Sequence, residues 1–371
     1  MSHKKWDRMG QSTIVIDNGS DFCRSGFAED DKPQSIIRSI AVFPDVLGKK
    51  HCELRANRPG ETLAAKRAPV KHGIVVNWDA MEILWNHVFL CELRTFPEDH
   101  AVLVTDSPSC PTTNREMMAE VFFEAFDVPA LRVAHTALLS LCSYGLISGL
   151  VVEAGAGVCH TAPVYDGEVI RKATYRLDIA GKVLTKYLKQ LLTDGHSLLS
   201  SLKRKTVTGI KEELCYISLD FNKEIHEKDH QREKDFHLLD GQQITLDQER
   251  FLCPEPMFKP KMLLDDSSGL HSLAFSSILK APETFRSKTL YRVALSGGST
   301  MFPCFPERIR NELVSLAPED YHFQVMASPR RINSTWLGGS ILASLSSLQG
   351  TMMTREDYNE HGAGYVHQKF N

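Results

Sequence analysis

The stretch TIVIDNGSDFCRSGFAED, residues 13–30, determines how the chain begins to fold. Residues 13–17 are a β-branched run, which breaks into Asn18-Gly19-Ser20 before RSGFAED supplies a second strand-like segment. Two such runs joined by a short turn containing Asn-Gly are typical of a β-hairpin. The segment therefore predicts two antiparallel strands connected by a glycine turn.

A second segment repeats this arrangement in the middle of the chain. Residues 150–153 run into Ala154-Gly155-Ala156-Gly157, and a further strand-like run, residues 158–164, closes at Tyr165-Asp166-Gly167. The two segments indicate a weak internal duplication.

The segments between and after these turns indicate mixed α/β layers. Apolar residues recur at helical spacing in residues 79–89 and in residues 114–126, where Asn114 is the expected N-cap, and the strand AVLVTD precedes the second helix. Residues 293–305 (VALSGGSTMFPCF) predict a strand, a glycine turn and a helix start, and residues 338–348 predict a small-residue helix. The charged stretch at residues 222–237 predicts a solvent-facing insertion. Together these patterns predict two α/β lobes.

Composition excludes several partner classes. The chain has 371 residues, is 42% hydrophobic and 24% charged, and carries a net charge of −3, so neither nucleic acid nor membrane insertion is expected. The one compact basic run, SLKRK at residues 201–205, is interpreted as a solvated loop or helix end. Nine cysteines without a CxxC pair and a polar N-terminal segment predict a soluble protein with reduced thiols, in the cytosol or the nucleus.

Six phrases together resemble actin and actin-related proteins. They are IDNGS (16–20), HGIVVNWDAMEILWNHVF (72–89), IKEELCYISLDF (210–221), LSGGSTMFP (295–303), WLGGSILASLSSLQ (336–349) and GYVHQKF (364–370). The resemblance implies the two-lobed α/β actin-like ATPase fold shared with sugar kinases and chaperone ATPases, with a nucleotide cleft between the lobes. It implies an outer lobe of residues 1–143 with 334–371, its upper part (about 38–70) reduced, and an inner lobe of residues 144–333, its upper part about 181–265.

The resemblance also implies which residues face a nucleotide. In such a site, backbone N–H groups of glycine turns hold the phosphates. Residues at the family's nucleotide-facing positions are Gly19, Ser20, Asp21, Arg24, Gly155, Gly157, Gly181, Lys211, Glu212, Gly297, Gly298 and Ser299. The base end of the pocket is expected to be preserved.

The catalytic end departs from the family. Glu153 and Ala156 stand where actin has the two aspartates that hold the water shell of Mg²⁺, and Thr136 replaces the water-positioning glutamine. His160 and Asp17 remain as vestiges of the catalytic set. Because phosphoryl transfer depends on positioning and charge neutralisation, these changes predict a degenerate ATPase that binds ATP or ADP weakly or not at all.

The first turn carries a further departure, because Asp21 replaces a glycine and Arg24 replaces a phosphate-contacting lysine. A carboxylate about 5 Å from a phosphate oxygen would repel it by about 3 kcal/mol at an effective dielectric constant of about 20. Asp21 could instead join Asp17 and Glu153 as a Mg²⁺ ligand, with Mg²⁺ present only if nucleotide binds. The family lysine that approaches the adenine is replaced by Ile332.

Partner surfaces are also implied by the resemblance. A helix at residues 340–348, with Ile341, Leu345 and Leu348 on one face, together with Gly145, corresponds to the groove where profilin-like proteins dock on actin; a packed core face is the alternative. Cys142 and Thr351 depart from the actin residues of the groove floor. The interval from Asp31 to His72 is shorter than in actin, which predicts no conventional homofilaments.

Three functions remain open on the sequence alone. The first is a structural or scaffolding actin-related protein in a heteromeric cytoskeletal assembly of the cytoplasm, with the sperm head as the suggested setting. The second is an ATP-binding conformational switch with slow or no hydrolysis. The third is a nuclear actin-related subunit of a chromatin-remodelling complex, which long insertions or basic patches would favour.

Overall fold

A computed structural model describes residues 12–43, 65–195, 199, 201–227, 232–238, 241–286, 291–319 and 321–370. They belong to two units, the first drawn from Met1–Ser148, Val164–Arg171 and Asn333–Asn371 and the second from Gly149–Pro163 and Lys172–Ile332. The boundaries predicted from the sequence are 143/144 and 333/334. Most of the interval predicted to be reduced lies outside the described residues, because these stop at residue 43 and resume at residue 65.

The strands, in chain order, are β1 (Ile14–Asn18), β2 (Phe22–Phe27), β3 (Ser35–Arg38), β4 (Ala41–Phe43), β5 (Ala65–Arg67), β6 (Val70–Lys71), β7 (Ile74–Val75), β8 (Val102–Asp106), β9 (Ala130–His135), β10 (Gly149–Ala154), β11 (Cys159–Tyr165), β12 (Glu168–Val169), β13 (Tyr175–Leu177), β14 (Lys234–His237), β15 (Gln243–Leu246), β16 (Arg292–Ser296), β17 (Gln324–Met326) and β18 (Met353–Thr354).

The α-helices are α1 (Trp78–His87), α2 (Thr112–Glu120), α3 (Thr136–Cys142), α4 (Gly181–Gly195), α5 (Arg204–Leu214), α6 (Phe221–Glu224), α7 (Glu249–Leu252), α8 (Leu270–Lys280), α9 (Glu283–Arg286), α10 (Phe305–Leu316), α11 (Ser334–Ser344), α12 (Ser346–Gln349), α13 (Arg355–His361) and α14 (Val366–Lys369). Two π segments, Val88–Leu93 and Val121–Ala125, continue α1 and α2. None of the helices in the described part of the chain is long and apolar enough to cross a bilayer.

The first unit is built on a mixed sheet with strand order β18-β9-β8-β1-β2-β3. β1 and β2 pair antiparallel, with Ile14 opposite Phe27 and Asn18 opposite Cys23, which confirms the predicted hairpin. β8 lies parallel to β1 and also parallel to β9. The carboxyl ends of β1 and β8 therefore lie side by side, and this is where the first glycine turn begins.

The β-branched character of β1 follows from burial on both of its faces. Ile14 and Ile16 pack into an aromatic-rich core that includes Trp85 and Phe122, whereas Val15 faces a second cluster around Trp336. Each of these aliphatic side chains is fully buried, which stabilises the fold by roughly 2 kcal/mol apiece. A strand covered on both faces reads as a continuous apolar run rather than as an alternating one.

The small residues at the start of the predicted helix at 338–348 allow α11 to lie against α3. A Cβ added at Gly338 would come within 1.6 Å of the Leu139 carbonyl oxygen, and one at Gly339 would come within 2.7 Å of Val15 Cγ1. Backbone-to-backbone packing of this kind requires glycine.

The second unit contains a sheet with the order β11-β10-β16-β17, to which β13 adds through β11. β10 runs parallel to β16, so that Glu153 lies opposite Ser296. The predicted second strand-turn-strand segment is thus confirmed as β10 and β11, and residues 293–305 form β16, a 3₁₀ turn and the start of α10 as predicted. The end of β11, Val164 and Tyr165, pairs with β12 within the first unit.

Two predicted helix boundaries are wrong. Asn114 is not an N-cap, because α2 begins at Thr112 after Pro111, and the Asn114 side chain instead donates a hydrogen bond to the Val75 carbonyl at 3.0 Å. The helix predicted across residues 340–348 ends at Ser344, since Leu345 is extended and α12 begins after it.

The charged stretch at residues 222–237 is only partly described. It contains the end of α6 and strand β14, and residues 228–231 lie outside the described residues. Most of its described side chains are partly or fully exposed, in keeping with the predicted solvent-facing segment, but Arg232 is buried and donates to the Glu224 carbonyl oxygen at 2.7 Å.

Candidate functional site

The first glycine turn joins β1 to β2 and is held by hydrogen bonds on both sides. The Gly19 N–H donates to the Phe22 carbonyl oxygen at 3.1 Å, and the Gly19 carbonyl accepts from the Ser39 hydroxyl at 2.6 Å. Ser20 Oγ accepts from the Gly73 N–H at 2.8 Å. A Cβ at Gly19 would lie 2.6 Å from the Phe22 carbonyl oxygen. The turn is therefore a close-packed one that only glycine fits.

Asp17 lies at the carboxyl end of β1 in a buried position. Thr105 Oγ1 donates to Asp17 Oδ1 at 3.2 Å and accepts from the Asn18 N–H at 2.8 Å, while Arg24 Nη1 lies 3.6 Å from Asp17 Oδ2. Burial raises the pKa of the Asp17 carboxyl, against the opposing effects of Arg24 and Thr105. The side chain is part of a local polar network of the first unit.

Asp21 is paired with a cation that no sequence pattern indicated. Arg38 Nη1 donates to Asp21 Oδ2 at 2.6 Å, and the same guanidinium lies over the Phe22 ring, 4.5 Å from its centroid. Pairing of β2 with β3 sets Phe22 opposite Arg38 and so brings the two charged side chains together. The carboxylate at this turn is therefore locally neutralised.

Arg24 is likewise engaged within the first unit. Its Nε donates to Asn333 Oδ1 at 2.8 Å, and its Nη1 faces Asp17. The side chain is only 13% exposed. A guanidinium held at two points is less adaptable than the flexible ammonium of lysine, which carries its charge at a single freely rotating end.

In the second unit, two of the predicted turns and the start of α4 converge. The Gly155 N–H donates to the Val158 carbonyl oxygen at 3.0 Å, and the Gly155 carbonyl accepts from the Gly181 N–H at 3.1 Å and from the Ser299 hydroxyl at 2.8 Å. The Lys182 N–H donates to the Ala156 carbonyl oxygen at 2.7 Å. These bonds tie the turn after β10 to the start of α4 and to the 3₁₀ turn after β16.

Lys211 and Glu212 occupy different environments on α5. Lys211 is buried, and its Nζ donates to the Gly181 carbonyl oxygen at 3.0 Å. Glu212 is exposed. The predicted nucleotide-facing residues Gly155, Gly181, Lys211 and Ser299 are thus brought together, and Gly157 follows directly in the same turn.

Gly297 has a backbone conformation that side chains rarely adopt. Its φ angle is +92°, and a Cβ there would lie 2.4 Å from the Ala154 carbonyl oxygen. Its N–H donates to the Arg331 carbonyl oxygen at 3.1 Å. Next to it, the Ile332 side chain would lie 3.8 Å from a Cβ at Gly298 and is 43% exposed. An apolar surface therefore borders this turn at the position of the lost family lysine.

The two histidines near the predicted catalytic positions are buried. Burial and the nearby Arg176 lower the pKa of His160, on β11, to about 4, although Asp178 acts in the opposite direction. His135 directly precedes the half-buried Thr136, and burial together with Arg115 lowers its pKa to about 3. Both imidazoles are therefore neutral at pH 7.

His135 belongs to a buried polar cluster that the sequence did not reveal. Arg115 Nη2 lies 2.7 Å from His135 Nε2, its Nε donates to Asp106 Oδ2 at 2.7 Å, and its Nη1 donates to the Phe370 carbonyl oxygen at 2.6 Å. The cluster joins β8, α2, β9 and the C-terminal segment. No periodicity or motif marks such long-range pairing, so only the register of the sheet reveals it.

The predicted partner groove is only partly assembled. Ile341 and Leu345 are 41% and 48% exposed, but Leu348 is buried and packs with Met352 in the core. Gly145 has a φ angle of +71°, with open space where a side chain would be. The interpretation of Ile341, Leu345 and Leu348 as one helical face is wrong, because the helix breaks at Leu345.

The described residues can also be compared with what a magnesium ion requires. Within the described part of the chain, no group of three or more His, Cys, Asp or Glu side chains could hold a metal ion. Asp21 is occupied by Arg38, and Ala156 offers only a methyl group where a carboxylate would be needed. Mg²⁺ in nucleotide sites is usually held by one or two carboxylates together with waters and substrate phosphates, so these side chains would hold it only along with a bound nucleotide.

Each of the two units is built on a sheet in which a glycine turn follows a buried strand, an arrangement found in the actin-like ATPase fold. Comparison with family models agrees, since the model described as Actin matches residues 9–371. The chain belongs to the actin family.

Proposed function

We propose that this chain is a structural or scaffolding member of the actin family that does not turn over ATP. The observation that carries the proposal is Asp21 itself, a carboxylate in the turn that the resemblance to actin predicts to face phosphate, whose charge Arg38 of the neighbouring strand offsets only in part. A turn that holds phosphates through backbone N–H groups functions by offering positive potential, which a carboxylate opposes.

Three further features support an inert site. Thr136 supplies no amide group for orienting a water molecule, Ala156 has no oxygen for a metal shell, and the carboxylate of Glu153 is held one methylene further from its backbone than that of an aspartate. Because the barrier to phosphoryl transfer is lowered almost entirely by positioning and charge, loss of several groups affects the whole mechanism. We therefore propose that hydrolysis is absent.

We further propose that the chain works in a heteromeric cytoskeletal assembly of the cytoplasm, with other cytoskeletal or actin-related proteins as partners. The sperm head is the suggested setting, as the analogy with other divergent actin-related proteins indicates. The proposal includes the absence of conventional homofilaments. Pelleting of the purified protein under polymerising conditions tests that part, and regular helical filaments in the pellet would contradict it.

The decisive experiment compares the wild-type chain with a variant that restores family residues, carrying Asp21→Gly, Thr136→Gln, Glu153→Asp and Ala156→Asp. Both are incubated with Mg²⁺ and ATP, and phosphate release is measured. We expect no release above buffer for the wild-type chain. Turnover by the wild-type chain at the pace of actin would overturn the proposal, whether or not the variant is faster.

A second function is favoured by one specific observation. Gly155, Gly181, Lys211 and Ser299 are joined by direct hydrogen bonds, which supports the proposal that this part of the predicted nucleotide site is retained. An ATP-binding conformational switch without hydrolysis would use this part alone. Retention of ATP by the wild-type chain through gel filtration, without phosphate release, would select this alternative.

A further inference from the structure

Three lysines of α4 lie on one face of the helix. Lys182, Lys186 and Lys189 are spaced i, i+4 and i+7, so their side chains project from the same side. Lys186 is exposed, whereas Lys189 is half-buried and donates from Nζ to the Leu202 carbonyl oxygen at 3.0 Å. Like charges at this spacing repel one another, so the arrangement reduces the stability of the helix by itself.

The first turn of α5 adds cations beside this face. Lys203 is the N-cap residue, and Arg204 and Lys205 follow it, with no side-chain cap and no acidic residue in the first turn. A helix N-terminus carries positive potential and favours anions, so cations here are placed against the helix dipole. Within the described residues, neither Lys186 nor Arg204 forms an ion pair.

The two helices enclose a concave surface between these side chains. A depression of about 300 Å³ is lined by Lys182, Thr185, Lys186, Lys189, Arg204 and Val207. Thr185 and Val207 form its buried floor, and the four cations stand around it. We call this depression with its flanking Lys203 and Lys205 the α4–α5 basic surface. It lies wholly within the second unit.

Lys186 and Arg204 have no ion-pair partner among the described residues, so no acidic side chain there offsets the repulsion between these charges and the neighbouring lysines. Several unfavourable charge placements at one site are typical of functional sites, and the expected reason is an external ligand whose charge compensates them. The ligand must be anionic, and the apolar stems of the lysines together with Val207 favour one that also carries an apolar group.

The surroundings of the α4–α5 basic surface argue against a bilayer and against nucleic acid. Among the described residues between Tyr165 and Leu219, no large hydrophobic side chain is strongly exposed, so these residues offer none for insertion into a headgroup layer. No aromatic side chain lines the depression, so bases would have no stacking platform. The remaining class is an acidic protein segment.

We propose that the α4–α5 basic surface docks an acidic segment of a partner protein, with carboxylates on the cationic rim and an apolar side chain over Val207. This inference is independent of whether the glycine turns bind nucleotide. It assigns a function to the SLKRK run that the sequence alone did not support, because the α4 lysines join it only in the folded structure.

The test uses the full chain and a fluorescein-labelled peptide of about a dozen residues in which Glu and Asp alternate with Leu. Fluorescence anisotropy measures binding at low and high salt. We expect the double substitution Lys186→Glu and Arg204→Glu to weaken binding about tenfold or more and to reduce its salt dependence. A peptide with Gln and Asn in place of the acids should bind no better than buffer controls.

A matched control keeps the net charge change the same. Lys234→Glu together with Lys261→Glu alters two exposed lysines elsewhere in the second unit and should leave peptide affinity unchanged. The milder double substitution Lys186→Gln and Arg204→Gln should give an intermediate loss of peptide affinity. It takes the place of the charge-reversal variant if that variant does not fold. Equal losses of peptide affinity in the Lys234→Glu/Lys261→Glu control and in the Lys186→Glu/Arg204→Glu variant would overturn the proposal.

Two further probes separate the rival partners. Vesicles containing phosphatidylserine and phosphoinositide, and a single-stranded RNA of about twenty nucleotides, are tested with the same variants. We expect neither to bind more tightly than the acidic peptide. Tighter binding to either probe that depends on Lys186 and Arg204, or an absence of peptide binding by the wild-type chain, would contradict the docking of an acidic protein segment.

Discussion

Arg38 Nη1 lies 2.6 Å from Asp21 Oδ2, so the acidic residue of the first glycine turn is matched by a cation of the neighbouring strand. The two side chains are 48% and 23% exposed, respectively, and a pair so close to solvent contributes about 1 kcal/mol or less to stability. The pair therefore matters for the electrostatic potential of the turn more than for the fold.

The effect of Asp21 on ATP affinity can be measured directly. Asp21→Asn removes the charge but keeps the shape, and we expect ATP affinity to rise about tenfold, since about 3 kcal/mol of repulsion is partly offset by Arg38 and by water. Binding of a fluorescent ATP analogue gives the result.

Substitution of the partner residue, Arg38, tests whether the charge of Asp21 lowers ATP affinity. Arg38→Gln should lower affinity, because it leaves Asp21 without its counterion. A fall in affinity for Asp21→Asn in the presence of Mg²⁺ would instead identify Asp21 as a metal ligand and would contradict our interpretation of the turn.

Gly297 combines a positive φ angle with a close backbone contact, so it should tolerate substitution poorly. Gly297→Ala places a Cβ 2.4 Å from the Ala154 carbonyl oxygen and also imposes a positive φ angle, so we expect the free energy of unfolding to fall by about 3 kcal/mol or more. Urea-induced unfolding measures the loss.

Gly241 provides the matched control for this substitution. Its φ angle is +84°, but a Cβ there would meet no atom within 4 Å, so Gly241→Ala should cost only about 1 kcal/mol. Equal losses for the two variants would show that backbone strain alone, and not the contact with Ala154, makes Gly297 necessary.

The predictable part of this structure is the part encoded locally. The β-branched run before Asn18-Gly19 and the Gly-Gly turn after β16 both specify strands and turns through neighbouring residues. The Asp21–Arg38 pair could not be predicted in the same way, because it depends on the register between β2 and β3. A shift of one residue would place Arg38 on the other face of the sheet.

The break of the C-terminal helix shows a second limit. Leu345 is a good helix former with no glycine or proline beside it, so periodicity predicts a continuous helix through Leu348. In the folded chain, Leu348 is instead buried with Met352 and Trp336. Tertiary packing has overridden local propensity, and this also removes Leu348 from the predicted partner groove.

His160 should make the protein sensitive to acid. Its pKa is about 4 in the folded protein, below the ordinary value of 6.5, so the unfolded chain binds the proton first as the pH falls. Its contribution to stability is therefore present above pH 6.5 and is lost between pH 6.5 and about 4, at up to about 1.4 kcal/mol per pH unit.

We expect His160→Gln to flatten the dependence of the unfolding free energy on pH by about this slope between pH 6 and pH 5. Urea titrations at several pH values provide the measurement. His237→Gln, on the exposed side of β14, controls for loss of an imidazole alone. A profile for His160→Gln that is as steep as that of the wild-type chain would show that the buried imidazole does not govern acid stability.

Leu264 combines two unfavourable features that a single substitution can separate. Its φ angle is +56°, at the end of the 3₁₀ segment Pro260–Leu263, and its side chain is 97% exposed. Asparagine tolerates this left-handed conformation better than leucine. We therefore expect Leu264→Asn to raise the free energy of unfolding by about 0.5 kcal/mol or more, whereas Leu264→Ala, which keeps the strain, should change it little. Destabilisation by both substitutions would mean that the leucine side chain itself stabilises the loop.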